Sequence, residues 1–269
     1  MKDELLKCTI EAAILAGNIL KEGYGSSFDI HNKSGVNNLV TTYDFLAEKA
    51  IIEYITGKFP ESRFLAEESG STGAEEHDKL LWIIDPLDGT VNFAHALPIF
   101  SVSIAAQLHG EIVCGAIYHP LADELFTALS GGGAWLNGKP ISISDNDDFK
   151  KSFLVTGFPY NVMKNPEYIE LFVSIIREGI PVRRLGSAAL DLAYVACGRF
   201  DGFWEIDLNP WDVAAGILLV REAGGLVTEF DKNDYSIFDR QLLATNGKIH
   251  NEISELLMKT MPKVEHLKK

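Results

Sequence analysis

The stretch Trp82–Phe93, WIIDPLDGTVNF, joins an apolar run to two aspartates three positions apart. Leu80–Ile84 predicts a short strand, and Asp85 stands at its exit. Pro86 stiffens the turn that follows and removes one amide proton. Asp88-Gly89 then lets the backbone bend sharply into a short helix beginning near Thr90. Hard cations such as Mg²⁺ take several oxygen ligands, and two carboxylates on one tight turn can share a pair of them. The amides of Gly89 and Thr90 would point out of the helix start, where phosphate oxygens bind well. One turn can therefore hold metal and phosphate together. Taken alone, the same pattern is more often a solvated turn with local Asx hydrogen bonds.

Apolar residues at helical spacing predict a helix over residues ~3–23 and another from about Asp44 to Lys58, broken by Pro60. Arg63–Ala66 reads as a strand that delivers Glu67 and Glu68 at its end. Ser69–Lys79 is polar and reads as a loop. Residues 100–108 alternate, with Phe100, Val102, Ile104, Ala106 and Leu108 on one side and Ser101, Ser103 and Gln107 on the other. That period predicts a half-buried strand. A second strand runs through Tyr118, a third over Glu124–Leu129, and Asn137-Gly138 marks a type I′ hairpin, so the middle of the chain predicts an antiparallel sheet.

Beyond Ser144 strands and helices alternate. Strands are expected at Phe153–Thr156, Val182–Leu185, Phe203–Ile206, Leu226–Phe230 and Leu242–Ala244. Helices are expected at Glu167–Arg177, from an N-cap at Ser187 to Cys197, at Trp211–Ala223 and at Ile249–Met258. Trp211-Asp212 by itself reads as a helix N-cap. The expected fold is α+β, with helices layered on sheets. One domain spans 1–269, with an α+β half over about 1–144 and an α/β half over about 145–269.

The 269 residues are 46% apolar, enough for a full core. Net charge is −14, which argues against direct nucleic-acid binding because no basic field is available to release counterions. A metal cluster would still reverse the local field for a small anion. Cys8, Cys114 and Cys197 share no metal-ligand spacing and read as reduced, buried thiols. No signal peptide and no membrane-length apolar run is visible, so a cytoplasmic protein is expected.

Trp82–Phe93 resembles the first signature of the inositol monophosphatase family, and Trp211–Gly225, WDVAAGILLVREAGG, resembles the second. Asn38–Asp44 (NLVTTYD), Ala66–Ser69 (AEES) and Gly186–Gly202 (GSAALDLAYVACGRFDG) support the match, which is closest to bacterial members of the extragenic-suppressor type. The resemblance implies the layered α/β sandwich of the inositol monophosphatase and fructose-1,6-bisphosphatase superfamily. It also implies a Mg²⁺-dependent hydrolase of small phosphomonoesters, sensitive to Li⁺, and a homodimer.

By the same resemblance Glu67, Asp85, Asp88, Asp212 and the Leu87 carbonyl hold roughly two to three Mg²⁺ ions. Thr90 orients the attacking water and Asp44 supports it. No phosphoenzyme, and so no nucleophilic Cys or His, is required. Gly89, Thr90, Gly186, Ser187 and Ala188 face the substrate with Asp88 and Asp212, and Glu205 contacts its hydroxyls. Lys33 matches a family lysine near the metal loop, though a solvated loop lysine fits as well. Asn38, Ala66 and Asp207 depart from common family residues, and Asp207 would add negative charge beside the substrate. Val91-Asn92-Phe93 favours the inositol type. Fructose-1,6-bisphosphatase, 3′-phosphoadenosine 5′-phosphatase and histidinol-phosphate phosphatase stay as alternatives within the superfamily. A partner role in an RNA or transcription assembly is the alternative of a different class.

Overall fold

The computed structural model describes residues 1–32, 39–72, 80–160, 162, 165 and 168–261. The chain opens with α1 (Lys2–Gly23), β1 (Ile30–Asn32), β2 (Leu39–Thr41), α2 (Thr42–Lys58), β3 (Arg63–Ala66) and β4 (Gly70–Thr72). It continues through β5 (Leu81–Asp88), α3 (Thr90–Ala94), β6 (Ser101–Leu108), β7 (Glu111–His119), β8 (Glu124–Leu129), β9 (Gly133–Leu136) and β10 (Lys139–Pro140). The remainder is β11 (Leu154–Thr156), α4 (Tyr168–Arg177), β12 (Val182–Arg183), α5 (Ala188–Ala196), β13 (Gly202–Ile206), α6 (Pro210–Glu222), β14 (Leu226–Thr228), β15 (Gln241–Thr245) and α7 (His250–Thr260).

Eight strands form one sheet in the order β10-β9-β8-β7-β6-β5-β3-β4, and five form a second in the order β12-β11-β13-β15-β14. The first sheet is antiparallel except where β3 runs parallel to β5. That exception brings Glu67 and Asp85 out at the same sheet end. The second sheet is mixed: β11 is parallel to β12 and β13, while β15 is antiparallel to β13 and β14.

Strand periodicity sorts side chains into three cores. Trp82, Ile84, Val102, Ile104 and Ala106 face α1 and α2, while Ile83, Ala105 and Ile117 face α5 and α6 on the other side of the same sheet. In the second sheet Val155 and Phe203 join the α5/α6 core, whereas Leu154 and Trp204 face α4 and α7. The layers therefore run helix, sheet, helix, sheet, helix. This placement revises the reading of residues 100–108 as half-buried. Ser101 and Ser103 are buried too, because α5 and α6 cover the polar side of β6. Ser101 Oγ lies 3.3 Å from Ser187 Oγ, and Ser103 Oγ donates to the Trp211 carbonyl at 3.3 Å. The hairpin at Asn137-Gly138 has the expected turn, both residues having positive φ.

Phe93 anchors the first signature. Its ring packs 5.0 Å from Phe100, 5.2 Å from Phe28 and 5.7 Å from Tyr43. Each such pair adds about 0.5–1.5 kcal/mol beyond area burial, and together they tie α3 to the segment after α1, the first turn of α2 and the residue before β6. Among the described residues no helix is long and apolar enough to cross a membrane. Lys33, Asn38 and Glu167 lie outside the described residues.

Candidate active site

In a regular strand, residues three apart face opposite sides of the sheet, so Asp85 and Asp88 should diverge. They do not, because β5 carries a bulge. Asp85 pairs with Ser103 and Asp88 with Ser101, which leaves one extra residue on β5 between them. A bulge of this kind turns the following side chain to the other face, and both carboxylates line one pocket. The strand thus runs on to Asp88, past its expected end at Ile84. Pro86 has no amide to lose in the bulge, and Leu87 N donates to Asp85 Oδ1 at 3.0 Å. Gly89 follows at φ +99°, where a Cβ would sit 3.0 Å from the Ile99 carbonyl oxygen, so only glycine fits. Asn92 Nδ2 donates to the Ile99 and Leu185 carbonyls, both at 2.8 Å, clamping α3 to the turn at Gly186.

Two further chain turns complete the acidic wall. Glu67 follows β3, and its neighbours are held by Glu48 of α2, whose carboxylate accepts from Glu68 N and Ser69 N at 2.9 Å each. Asp212 sits in the first turn of α6. It is not the N-cap: Asn209 is, and Asp212 reaches back to accept from Asn209 N at 2.7 Å in a capping box. Asp88 Oδ2 accepts from Ser187 Oγ at 2.6 Å and Ala189 N at 2.8 Å, which joins the first signature to the start of α5.

Burial, then the charges of Glu67, Asp88 and Asp212, push the Asp85 carboxyl well above the usual carboxylate range. Burial, then Glu67 and Asp88, do the same to Asp212. Burial pushes Asp88 up to about 6, against the pull of its Ser187 and Ala189 hydrogen bonds. Asp44, fully buried at the start of α2, is raised by burial to about 6. Its Oδ2 accepts from Thr41 N and Thr41 Oγ1 at 2.7 Å each. Thr90 Oγ1 lies 3.1 Å from Asp44 Oδ1 and 3.0 Å from the Leu87 carbonyl oxygen, so its single proton goes to one of the two.

Glu205, on β13, lines the same pocket. Burial raises its pKa to about 8, with Asp212 adding to the rise and Arg184 opposing it. Its carboxylate lies directly over Gly157: a Cβ there would collide with both carboxylate oxygens and stand 2.5 Å from Cδ. Gly186, Ser187 and Ala188 line the pocket as well. Every candidate residue among those described therefore opens onto one cleft, except Asp44, which stands behind Thr90.

Asp207 corrects an expectation. It lines the cleft at φ +62°, but Arg240 holds both its carboxylate oxygens, at 2.6 and 3.0 Å, and Tyr168 donates to it at 3.1 Å. Its charge is neutralised by a fork-like pair. Arg240 is 33 residues away in sequence, which is why the pairing could not be anticipated. Sequence reasoning also missed Arg184 and Asp191 in the pocket lining. For Asp191 a signal existed, since it is the lone charge in the apolar helix AALDLAYVA.

Among the described residues no three acidic, histidine or cysteine side chains already meet in a finished ligand shell. The donor chemistry nonetheless fits a hard divalent cation. Glu67, Asp85, Asp88 and Asp212 offer oxygen only, and their mutual repulsion is what a bound cation relieves. The one basic residue lining the described pocket, Arg184, acts on Asp191 and Glu205.

The family model for inositol monophosphatases matches residues 1–266. The chain belongs to the inositol monophosphatase family. It is 44% identical over 260 residues to the inositol-1-monophosphatase of Synechocystis sp., covering 95% of this chain and 89% of that protein. It is 42% identical over 247 residues to the protein named Nus factor SuhB of Escherichia coli K12, covering 91% and 92%. The crystal structure of the extragenic suppressor protein SuhB from Bartonella henselae superposes with a TM-score of 0.90 at 39% identity, over 95% and 99% of the two chains. The family is one of phosphatases that are generally metal-dependent, and its fold is the layered arrangement described above.

Proposed function

We propose that the protein hydrolyses inositol monophosphate to inositol and phosphate with Mg²⁺ as cofactor. The observation that carries this is the bulged turn at Asp85–Asp88. It places two carboxylates of one strand in a single cleft with Glu67, Asp212 and Glu205. Glu67, Asp85, Asp88, Asp212 and the Leu87 carbonyl would hold the metal. Bound there, Mg²⁺ supplies the Lewis acidity that makes water a competent nucleophile near neutral pH and offsets charge on the phosphoryl oxygens. Thr90, donating its proton to Asp44, keeps its oxygen lone pairs free to accept from a water and aim it at phosphorus. The start of α3 at Gly89 and Thr90 and the start of α5 at Gly186, Ser187 and Ala188 would seat the phosphate between them. Glu205 would accept hydroxyls of the alcohol part.

The test is phosphate release from purified protein over a panel of inositol, sugar, nucleotide and aryl phosphates, with EDTA and with restored Mg²⁺. Turnover should vanish in EDTA, return with Mg²⁺ and be fastest on inositol monophosphate. Full turnover without a divalent ion, or faster turnover of fructose 1,6-bisphosphate or a nucleotide, would refute it. The name Nus factor on relatives of 40–42% identity favours a second reading, in which this fold also serves a partner in a transcription assembly. A pull-down with the wild type and with Asp88→Asn separates the two, since a docking role survives the loss of catalysis.

A further inference from the structure

Glu48 is a buried acid that does not line the cleft, yet it holds part of it. It stands on α2, one helical turn beyond Asp44 and on the same face of the helix. The β3–β4 hairpin closes at the pair Ala66–Gly70, which leaves Glu67, Glu68 and Ser69 as its turn. Backbone amides of a turn are not used by the strand ladder and need other acceptors. Glu67 N donates to the Ile84 carbonyl of β5 at 3.1 Å. Glu68 N donates to Glu48 Oε2 and Ser69 N to Glu48 Oε1, at 2.9 Å each. One carboxyl group thus spans two successive amides, one per oxygen. Glu67 is fixed between that grip and β5, and its side chain lines the pocket.

The side-chain chemistry at position 48 is specific to this task. A carboxylate offers two acceptor oxygens and no donor, whereas glutamine would turn an N–H against one of the two amides. A group that holds a metal ligand from behind decides where the ligand oxygens stand before the ion arrives. Asp44, on the same face of α2, meets Thr90 Oγ1 at 3.1 Å. The helix therefore braces the Glu67 turn and the Thr90 hydroxyl at once, and one helical turn sets the spacing between the two braces. Resting on the metal-dependent phosphatase function proposed above, we propose that Glu48 is a positioning residue. Through the Glu68 and Ser69 amides it holds Glu67 where a divalent cation can join it to the carboxylates of β5.

The test uses Glu48→Gln, which keeps the volume and breaks the grip. Mn²⁺ added to the metal-free protein and followed by the EPR signal of the free ion reads the site without catalysis. The Mn²⁺ dissociation constant should rise about tenfold in the variant, the low end for a group behind a metal ligand. The Mg²⁺ concentration giving half-maximal hydrolysis of 4-nitrophenyl phosphate should rise in step, with a smaller fall in kcat at saturating Mg²⁺. A role confined to stability would lower the melting temperature and leave the Mn²⁺ constant where it was. In a Glu67→Ala background Glu48→Gln should weaken Mn²⁺ binding by no more than about twofold, because Glu48 acts through Glu67. Unchanged Mn²⁺ affinity in folded Glu48→Gln overturns the proposal, as does a tenfold loss that persists on top of Glu67→Ala. If the variant does not fold, amide hydrogen exchange of the wild type in EDTA decides: protection at Glu68 and Ser69 supports the grip, and free exchange at both refutes it. A wild type that binds no Mn²⁺ overturns both readings. One that binds Mn²⁺ and hydrolyses no phosphomonoester overturns the proposed function alone.

Discussion

Gly157→Ala is the sharpest probe of the substrate wall, because it moves one functional side chain while leaving the backbone at ease. Gly157 does not occupy the left-handed region, so alanine meets no conformational strain there. What it meets is Glu205, whose Cδ would lie 2.5 Å from the new methyl group. Carbon atoms in contact stand about 3.5–4.0 Å apart, so the carboxyl must retreat by roughly 1 Å or more. It is the far end of a flexible side chain and gives way more easily than β11 or β13. A hydrogen bond of about 2.8 Å lengthened by 1 Å is no longer one. Burial holds Glu205 largely neutral near pH 7, and a bond to a neutral carboxyl is worth about 0.5–1.5 kcal/mol, so kcat/KM for inositol 1-phosphate should fall roughly 2- to 10-fold. Stability should hold or rise by about 0.4–1 kcal/mol, since alanine narrows the unfolded ensemble. The assay pairs thermal unfolding with kinetics on inositol 1-phosphate and 4-nitrophenyl phosphate. Glu205→Asp added to Gly157→Ala should restore part of the loss, because the shorter side chain clears the methyl group. Unchanged kinetics on inositol 1-phosphate in a folded variant would refute the role given to Glu205. Equal loss on the aryl phosphate would move Glu205 to the metal side.

Two other outcomes follow from the acidic wall. Asp44 and Asp88 are raised to about 6 and Glu205 to about 8, so the folded metal-free protein holds protons that the unfolded chain has lost above about pH 4. The stability they contribute is complete below that value and drains away as pH rises through about 6 to 8. Thermal melts in EDTA should fall over this range and flatten when Mg²⁺ is restored, and a flat EDTA profile would contradict the burial of these groups. Asp88→Asn should lower kcat by about 10²-fold or more. It should also melt no lower than the wild type in EDTA at pH 8, because one repelling charge is gone while an acceptor for Ala189 N can remain; near-normal turnover would remove Asp88 from the chemistry.

Much of this protein was legible as sequence because the deciding signals are local. A short apolar run placed β3 over Arg63–Ala66, the meander that follows residues 100–108 placed β8 over Glu124–Leu129, and Ser187 announced the start of α5. The two signatures carried the fold family and the candidate residues, since their chemistry sits in contiguous turns. Three-dimensional packing decided the rest. No pattern within residues 100–108 told that Ser101 and Ser103 would be buried, since their partners at the starts of α5 and α6, Ser187 and Trp211, stand 86 and 108 residues further along the chain. The two aspartates share a cleft only because pairing with β6 forces a bulge into β5, and register is a property of two strands. Asp207 looked like an added charge until Arg240 closed on it from a different strand end. The seat of Glu205 over Gly157 and the unpaired oxygen of Asp191 likewise arise only where separate elements meet. Local propensity is written in neighbours along the chain, whereas the charge, burial and partners of a side chain are set by whatever the fold brings against it.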